Sequence, residues 1–266
     1  MDFNYILKQP AFVVHNKDLS PERTGFFTKT IKDAGYTKMI IFKAVNASDE
    51  TERNTTFKMF SNPKFHFALS NGQIGCFLSH IKLYKHIIDN KIKISTIFED
   101  DVFFHSKWNH LAPKYYDNTP KNFDIVFIGN QLAINNTVPL INHNSTFCTH
   151  AYIITLKGAR KLLNLLLHWD YHTPENTIAI GHSLTGLFAI DVIIKTIQDR
   201  INTGKLKRLL TWYCWNGTKY PCKNALTGHV PRNTGLVFQS SEFKTLCPTF
   251  NPTVELELGE DNDNTE

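Results

Sequence analysis

Three consecutive carboxylates, Glu99, Asp100 and Asp101, stand between the apolar run Ile94 to Phe98 and the apolar residues Val102, Phe103 and Phe104. Side by side at a strand end they repel one another and lose hydration unless water or a cation reaches them. Hard oxygen donors of this kind suit Mg²⁺ or Mn²⁺, and such an ion bridges to the phosphate oxygens of a diphosphate. An acidic surface turn would account for the same three residues, but a solvated turn has no need of apolar flanks on both sides. The carboxyl edge of the sheet is also where open α/β folds place their ligands.

A second chemically suggestive segment is Asn71-Gly72-Gln73-Ile74-Gly75-Cys76-Phe77-Leu78-Ser79-His80. Gly72 and Gly75 admit close approach of a backbone or a ligand, and amides at a helix start can receive an anion. The spacing is not that of a phosphate loop, since no GxxxxGK run is present. Ser79 and His80 are adjacent on the helix and face different directions, so they do not form a nucleophile–base pair. A packing or hydrogen-bonding histidine and a substrate contact both remain open for His80.

Positioning these residues requires an alternation of strands and helices. Ala11 to Val14 reads as a strand, and a helix is predicted from Pro21-Glu22 to about Ala34, with Ser20 as N-cap and Gly35 as stop. Met39 to Val45 reads as a second strand. From Gln73 to Asp89, Ile74, Phe77, Leu78, Ile81, Tyr84 and Ile88 recur at helical spacing and predict one apolar face. Ile94 to Phe98, Phe123 to Ile128 and Ala151 to Leu156 are β-rich runs, the last followed by a leucine-rich helix over Gly158 to Trp169. This order predicts an α/β layer fold with a central, mostly parallel sheet flanked by helices. Tyr213 to Phe250, rich in Gly, Pro, Asn and aromatic residues, is expected to wrap the sheet as loops and short strands.

The charge is unevenly spread along the 266 residues. The formal +5 includes six acids and no base in the last twelve residues, so the body from Met1 to Val254 sets 29 Lys and Arg against 18 Asp and Glu, or +11. Such a body attracts anions: a nucleic acid, an acidic membrane surface or a phosphorylated small substrate. No zinc-finger spacing, RNP-like aromatic run or concentrated Arg stripe supports the first. Cys76, Cys148, Cys214, Cys222 and Cys247 are odd in number without a CxxC, which supports neither a disulfide framework nor a compact zinc knuckle. A Cys214–Cys222 bridge and buried thiols in a reducing compartment are the two accounts of the late cysteines. With no export signal and no apolar run near the roughly 18 residues of a spanning helix, the expected location is cytoplasmic, with peripheral membrane association open.

The succession VVHNKDLSPERTGFF, GQIGCFLSHIKLYKHII, ISTIFEDDVFF, DIVFIG and AYIITLKGARKLL, with AIDVII and GLVFQSS more weakly, resembles glycosyltransferase family 25, which contains bacterial lipooligosaccharide galactosyltransferases and the collagen galactosyltransferases. The likeness covers most of residues 11 to 240. The resemblance implies a GT-A type nucleotide-sugar fold, UDP-galactose as donor, inversion at the anomeric carbon, Mn²⁺ or Mg²⁺ at the acidic motif, and a glycan or hydroxylysine acceptor. It implies one GT-A like catalytic domain over residues 1–258, with 201–258 as a wrapping segment and 259–266 as an acidic disordered tail.

Carried over by residue, the resemblance makes Asp101 the first choice for the metal ligand, with Asp100 assisting it and contacting donor ribose or sugar. Glu99 becomes a supporting donor contact. His15, Asn16 and Arg23 are placed around uracil or phosphate, Arg23 having a helix-surface charge as its alternative. Gly75, Ser79 and His80 support the donor pocket. Asp191, an acid between Phe188-Ala189-Ile190 and Val192-Ile193-Ile194, is the candidate general base, against a helix-capping carboxylate. His150 is a candidate on the acceptor side and His229 a candidate late metal ligand. A catalytically weak sugar-nucleotide or glycan-binding relative is the competing reading, and a nucleic-acid module the more distant one.

Overall fold

The computed structural model describes residues 2–58, 70–131, 141–143, 145–167, 189–207, 209–215, 220–221 and 232–239. In chain order these form α1 (Phe3–Leu7), β1 (Pro10–His15), α2 (Arg23–Asp33), β2 (Lys38–Lys43), α3 (Glu50–Phe57), α4 (Asn71–Asp89), β3 (Ile94–Glu99), β4 (Val102–Phe104), α5 (Trp108–Asn118) and β5 (Ile125–Gln131). There follow β6 (Ile141–Asn142), β7 (Phe147–Thr155), α6 (Leu156–Leu167), α7 (Ile190–Asn202), β8 (Trp212–Trp215), β9 (Tyr220–Pro221), β10 (Arg232–Gly235) and β11 (Val237–Gln239).

Side chains alternate between the two faces of a strand, and here both faces are apolar. Phe12 and Val14 of β1, Ile97 of β3, Ile125 and Phe127 of β5, and Tyr152 and Ile154 of β7 join one core with α4, α6 and α7. Their neighbours Ala11, Val13, Phe98, Val126, Ile128, Ala151 and Ile153 join a second core with α1, α2 and α5. The result is three layers, helices on each side of one sheet. Burying a large apolar side chain in such a core contributes about 1.5–3 kcal/mol, so the near-continuous apolar strands define the sheet.

The principal strand order is β2-β1-β3-β7-β5-β10-β9, with β8 and β6 attached through β5. β1 lies parallel to β2 and β3, and β8 parallel to β5, whereas β7 runs antiparallel to both β3 and β5. The sheet is therefore mixed, and the expected mostly parallel pairing holds at the β2-β1-β3 edge. Direction is set by connections: the helix α4 crossover makes β3 parallel to β1, while β7 returns directly alongside its neighbours. A separate pair, β4 with β11, lies beyond the acidic triplet.

Local chemistry explains most element ends. Ser70 and Gln73 form a reciprocal capping box at the start of α4, satisfying two backbone donors. Gly35 takes a φ of +91° after α2, a conformation a glycine adopts without Cβ clash. The N-terminal expectation for α2 is corrected: the helix begins at Arg23, after turns in which Arg23 N bonds Ser20 O and Thr24 N bonds Pro21 O, and Ser20 does not cap it. Asp191 lies in the first turn of α7, so the apolar run around it is helical. No helix among the described residues is long and apolar enough to cross a membrane. The acidic tail 259–266, His229, Cys222 and Cys247 lie outside the described residues.

Candidate active site

A cavity of about 770 Å³ opens where the carboxyl ends of the three parallel strands converge. Asn16 follows β1, Ala44 to Ser48 follow β2, and Glu99 ends β3 with Asp100 and Asp101 in the turn after it. The start of α4 and the first turn of α7 complete the walls, bringing Asp191 into the same cavity as the acidic triplet. This is the placement expected at the carboxyl edge of an open α/β sheet.

Strand alternation divides the triplet. Glu99 continues the face of Ile97 toward α4, and Asp100 continues the face of Phe98 toward α2. On the α2 side, the Arg23 guanidinium donates to Asp100 Oδ1 at 2.6 Å, and His15 Nδ1 lies 2.7 Å from Asp100 Oδ2. His15 Nε2 in turn meets Thr24 Oγ1 at 3.0 Å, and Phe27 packs edge-on against the ring. Both Asp100 oxygens are thus engaged by cationic or hydrogen-bonding partners. These contacts make Asp100 a carboxylate that fixes the turn while it also lines the cavity beside Asp101. His15 is buried, is not among the residues lining the cavity, and holds Asp100 from behind.

On the α4 side, Thr149 Oγ1 donates to Glu99 Oε1 at 2.9 Å. Cys76 Sγ lies 3.9 Å and His80 Nε2 3.7 Å from the same oxygen. His80 Nδ1 meets Tyr152 Oη at 2.7 Å, and Tyr152 Oη meets Tyr84 Oη at 2.8 Å. Burial pushes the ionisation of both phenols upward, so the chain stays in its neutral, proton-bearing form. Ser79 clamps α4 to the loop after β2: it accepts from Val45 N at 2.8 Å and donates to Gly75 O at 2.5 Å. A Cβ on Gly75 would sit 2.8 Å from Val45 O, so glycine permits this contact. Gly75 and Ser79 therefore set the depth of the cavity wall.

Asn16 lines the cavity and accepts from Asp18 N at 3.0 Å, closing the turn after β1. Asp191 also lines it, with Oδ1 2.9 Å from Val192 N, at the end of α7 where the aligned peptide dipoles favour an anion. His150 is fully buried next to the wall residue Thr149, and its Nε2 lies 3.1 Å from Val237 O, where it links β7 to β11. Thr149 and Cys76 are wall residues assigned no role of their own from the sequence. Cys76 stands in the α4 motif, one turn before His80, and Thr149 immediately precedes the candidate His150.

A hard divalent ion suits the carboxylate oxygens of the acidic triplet at the cavity. Asp101 is 2% exposed, yet it lines the cavity, and a buried carboxylate needs a positive or hydrogen-bonding environment there. Asp101 would hold such an ion, with Asp100 beside it.

Residues 9–138 match the profile of glycosyltransferase family 25 (LPS biosynthesis protein). Procollagen galactosyltransferase 2 of Homo sapiens is 28% identical over 148 residues, 48% of this chain and 24% of that protein. Procollagen galactosyltransferase 1-B of Xenopus laevis is 31% identical over 147 residues, 50% of this chain and 23% of that protein. The chain thus spans about a quarter of the length of these curated relatives. Among solved structures, a glycosyltransferase involved in the glycosylation of the major capsid of PBCV-1 aligns at 10% identity with a TM-score of 0.35, covering 63% of this chain and 70% of that one. The matched segment, which holds the α4 motif and the whole acidic triplet, is similar to glycosyltransferase family 25.

Proposed function

We propose that the protein transfers a hexose, galactose from UDP-galactose, to a hydroxyl of a glycan or hydroxylysine acceptor with inversion at the anomeric carbon. The observation that carries this reading is the single cavity uniting the acidic triplet at the sheet's carboxyl edge with Asp191 on α7. Three features of the site support it. The capped start of α4 faces the cavity and suits a diphosphate. Arg23 and His15 fix Asp100 and so hold the turn that presents Asp101. Asp191 is the carboxylate assigned to take the acceptor's proton.

Mn²⁺ or Mg²⁺ held by Asp101 would supply positive charge against the departing diphosphate. The chain's own part is orientation: in-line placement of hydroxyl and anomeric carbon turns a two-body encounter into a local step. On this reading residues 1–258 form one GT-A type catalytic unit working in the cytoplasm. A binding-only relative is the second reading, favoured by one specific match: a mouse protein named inactive glycosyltransferase 25 family member 3 is 25% identical over 114 residues.

The deciding measurement is UDP release from a panel of UDP-sugars with Mn²⁺ and glycan or hydroxylysine-peptide acceptors. Acceptor-stimulated release from UDP-galactose is expected. Asp191→Asn should lower turnover by about 10²–10⁴-fold while UDP binding persists. Retained turnover in that variant would remove the base assignment, and UDP binding without release from any donor would establish the binding-only reading.

A further inference from the structure

Cys76, His80 and Glu99 form a cluster different in kind from the hard carboxylate position at Asp101. Cys76 and His80 are four residues apart on α4 and share one helix face. Glu99 reaches them from the end of β3, and one ligand atom from each of the three lies within 4.8 Å of the others. Zinc bonds of about 2.0–2.3 Å set ligand atoms roughly 3.4–3.6 Å apart in a tetrahedron. The observed 3.7 Å from His80 to Glu99 and 3.9 Å from Cys76 to Glu99 are near that spacing. Small side-chain rotations close the remainder.

The supporting contacts are those of a prepared ligand set. His80 is fully buried, and its Nε2, aimed at Glu99, has no hydrogen-bond partner among the described residues. Its other nitrogen is oriented by Tyr152, backed by Tyr84. Thr149 fixes Glu99. Outer contacts of this kind fix ring orientation and carboxylate geometry around bound metals. All three ligand residues line the 770 Å³ cavity, so a fourth position faces open space.

We propose that Cys76, His80 and Glu99 form a Zn²⁺ site whose fourth coordination position opens into the cavity. A thiolate with an imidazole selects zinc or a similar borderline metal over Mn²⁺ or Mg²⁺, which take oxygen donors. The proton balance is local. Cys76 S–H gives its proton to solvent as the S–Zn bond forms. His80 presents the Nε2 lone pair with its ring proton on Nδ1, donated to Tyr152 Oη, whose own hydroxyl turns to Tyr84. Nothing is oxidised or reduced, and the site does not depend on the sugar-transfer reading.

The test is titration of the full chain with Co²⁺ under a phosphine reductant, followed by absorption spectroscopy and Zn²⁺ displacement. One equivalent of Co²⁺ should give a thiolate-to-metal charge-transfer band that Zn²⁺ abolishes. Cys76→Ser, which preserves size, should lose the band with unchanged circular dichroism. Thr149→Val, which touches no ligand bond, should keep the band and weaken Zn²⁺ binding by about 10–100-fold. No band at one equivalent, or a band that survives Cys76→Ser, would overturn the site.

Discussion

Glu99 and Asp100 share a peptide bond and a charge, yet the two surroundings have little in common. Asp100 is locked by an arginine at 2.6 Å and a histidine at 2.7 Å, both anchored by α2 and β1. Glu99 has a threonine hydroxyl at 2.9 Å, while its histidine and cysteine neighbours stand off at 3.7 and 3.9 Å. The first arrangement is closed and holds the turn rigid; the second leaves ligand atoms converging on a common point. An acidic run at a strand end is thus not one binding unit. Alternation sends successive carboxylates to opposite helical layers, and the layer each one meets sets its task.

The largest separation of the two sides should appear in stability. Asp100→Ala leaves the Arg23 guanidinium, 19% exposed in its side chain, without its carboxylate, and removing one partner of such a pair costs about 3 kcal/mol. Glu99→Ala removes the Thr149 hydroxyl bond together with longer contacts and should cost about 1 kcal/mol. Urea unfolding of the two variants measures the difference. Equal losses would break the comparison, because they would make Glu99 as much a structural anchor as Asp100.

A smaller effect is expected at Gly75, on the Glu99 side alone. Alanine favours a helix interior by about 1 kcal/mol, but overpacking costs about 1–3 kcal/mol. Here the new Cβ would meet a backbone carbonyl, Val45 O, at 2.8 Å, while Ser79 ties the same residue's N–H to α4. Neither side has room to give, so Gly75→Ala should destabilise by about 1–2 kcal/mol in the same unfolding measurement. A stabilised variant would show that the α4 wall yields, and that the Glu99 side is looser than its contacts imply.

Much of this scaffold was legible because burial leaves a period. The apolar runs of β1, β3 and β5 and the helical recurrence from Ile74 to Ile88 each mark an element facing a core. Helix α5 was missed: Pro113 and a polar sequence obscure its face, which is carried by Trp108, Ala112, Tyr115 and Tyr116, with Trp108 Nε1 donating to Ala34 O at 3.0 Å. The antiparallel course of β7 was not legible either, since strand direction comes from tertiary connection. At the site, the triplet and Asp191 stood out as acids in apolar settings. Their pairings did not, because His15 reaches Asp100 across 85 positions and Thr149 reaches Glu99 across 50.

The smallest effect concerns the two hydroxyls behind His80 and sharpens the contrast by pH. Tyr84 and Tyr152 have ionisations raised by burial, so between the ordinary tyrosine value of 10.0 and their higher folded values the native state holds protons that the unfolded chain has released. Their contribution is fully present below pH 10 and is lost as pH rises above it. Tyr84→Phe removes one such proton along with the Tyr84–Tyr152 bond. It should cost about 1 kcal/mol at pH 7 and make the alkaline fall in stability shallower by up to about 1.4 kcal/mol per pH unit. Urea unfolding from pH 7 to 11 measures both. An alkaline slope as steep as that of the unaltered protein would show that Tyr84 ionises freely in the fold, and the closed hydrogen-bonded backing of His80 would then have to be abandoned for an open one.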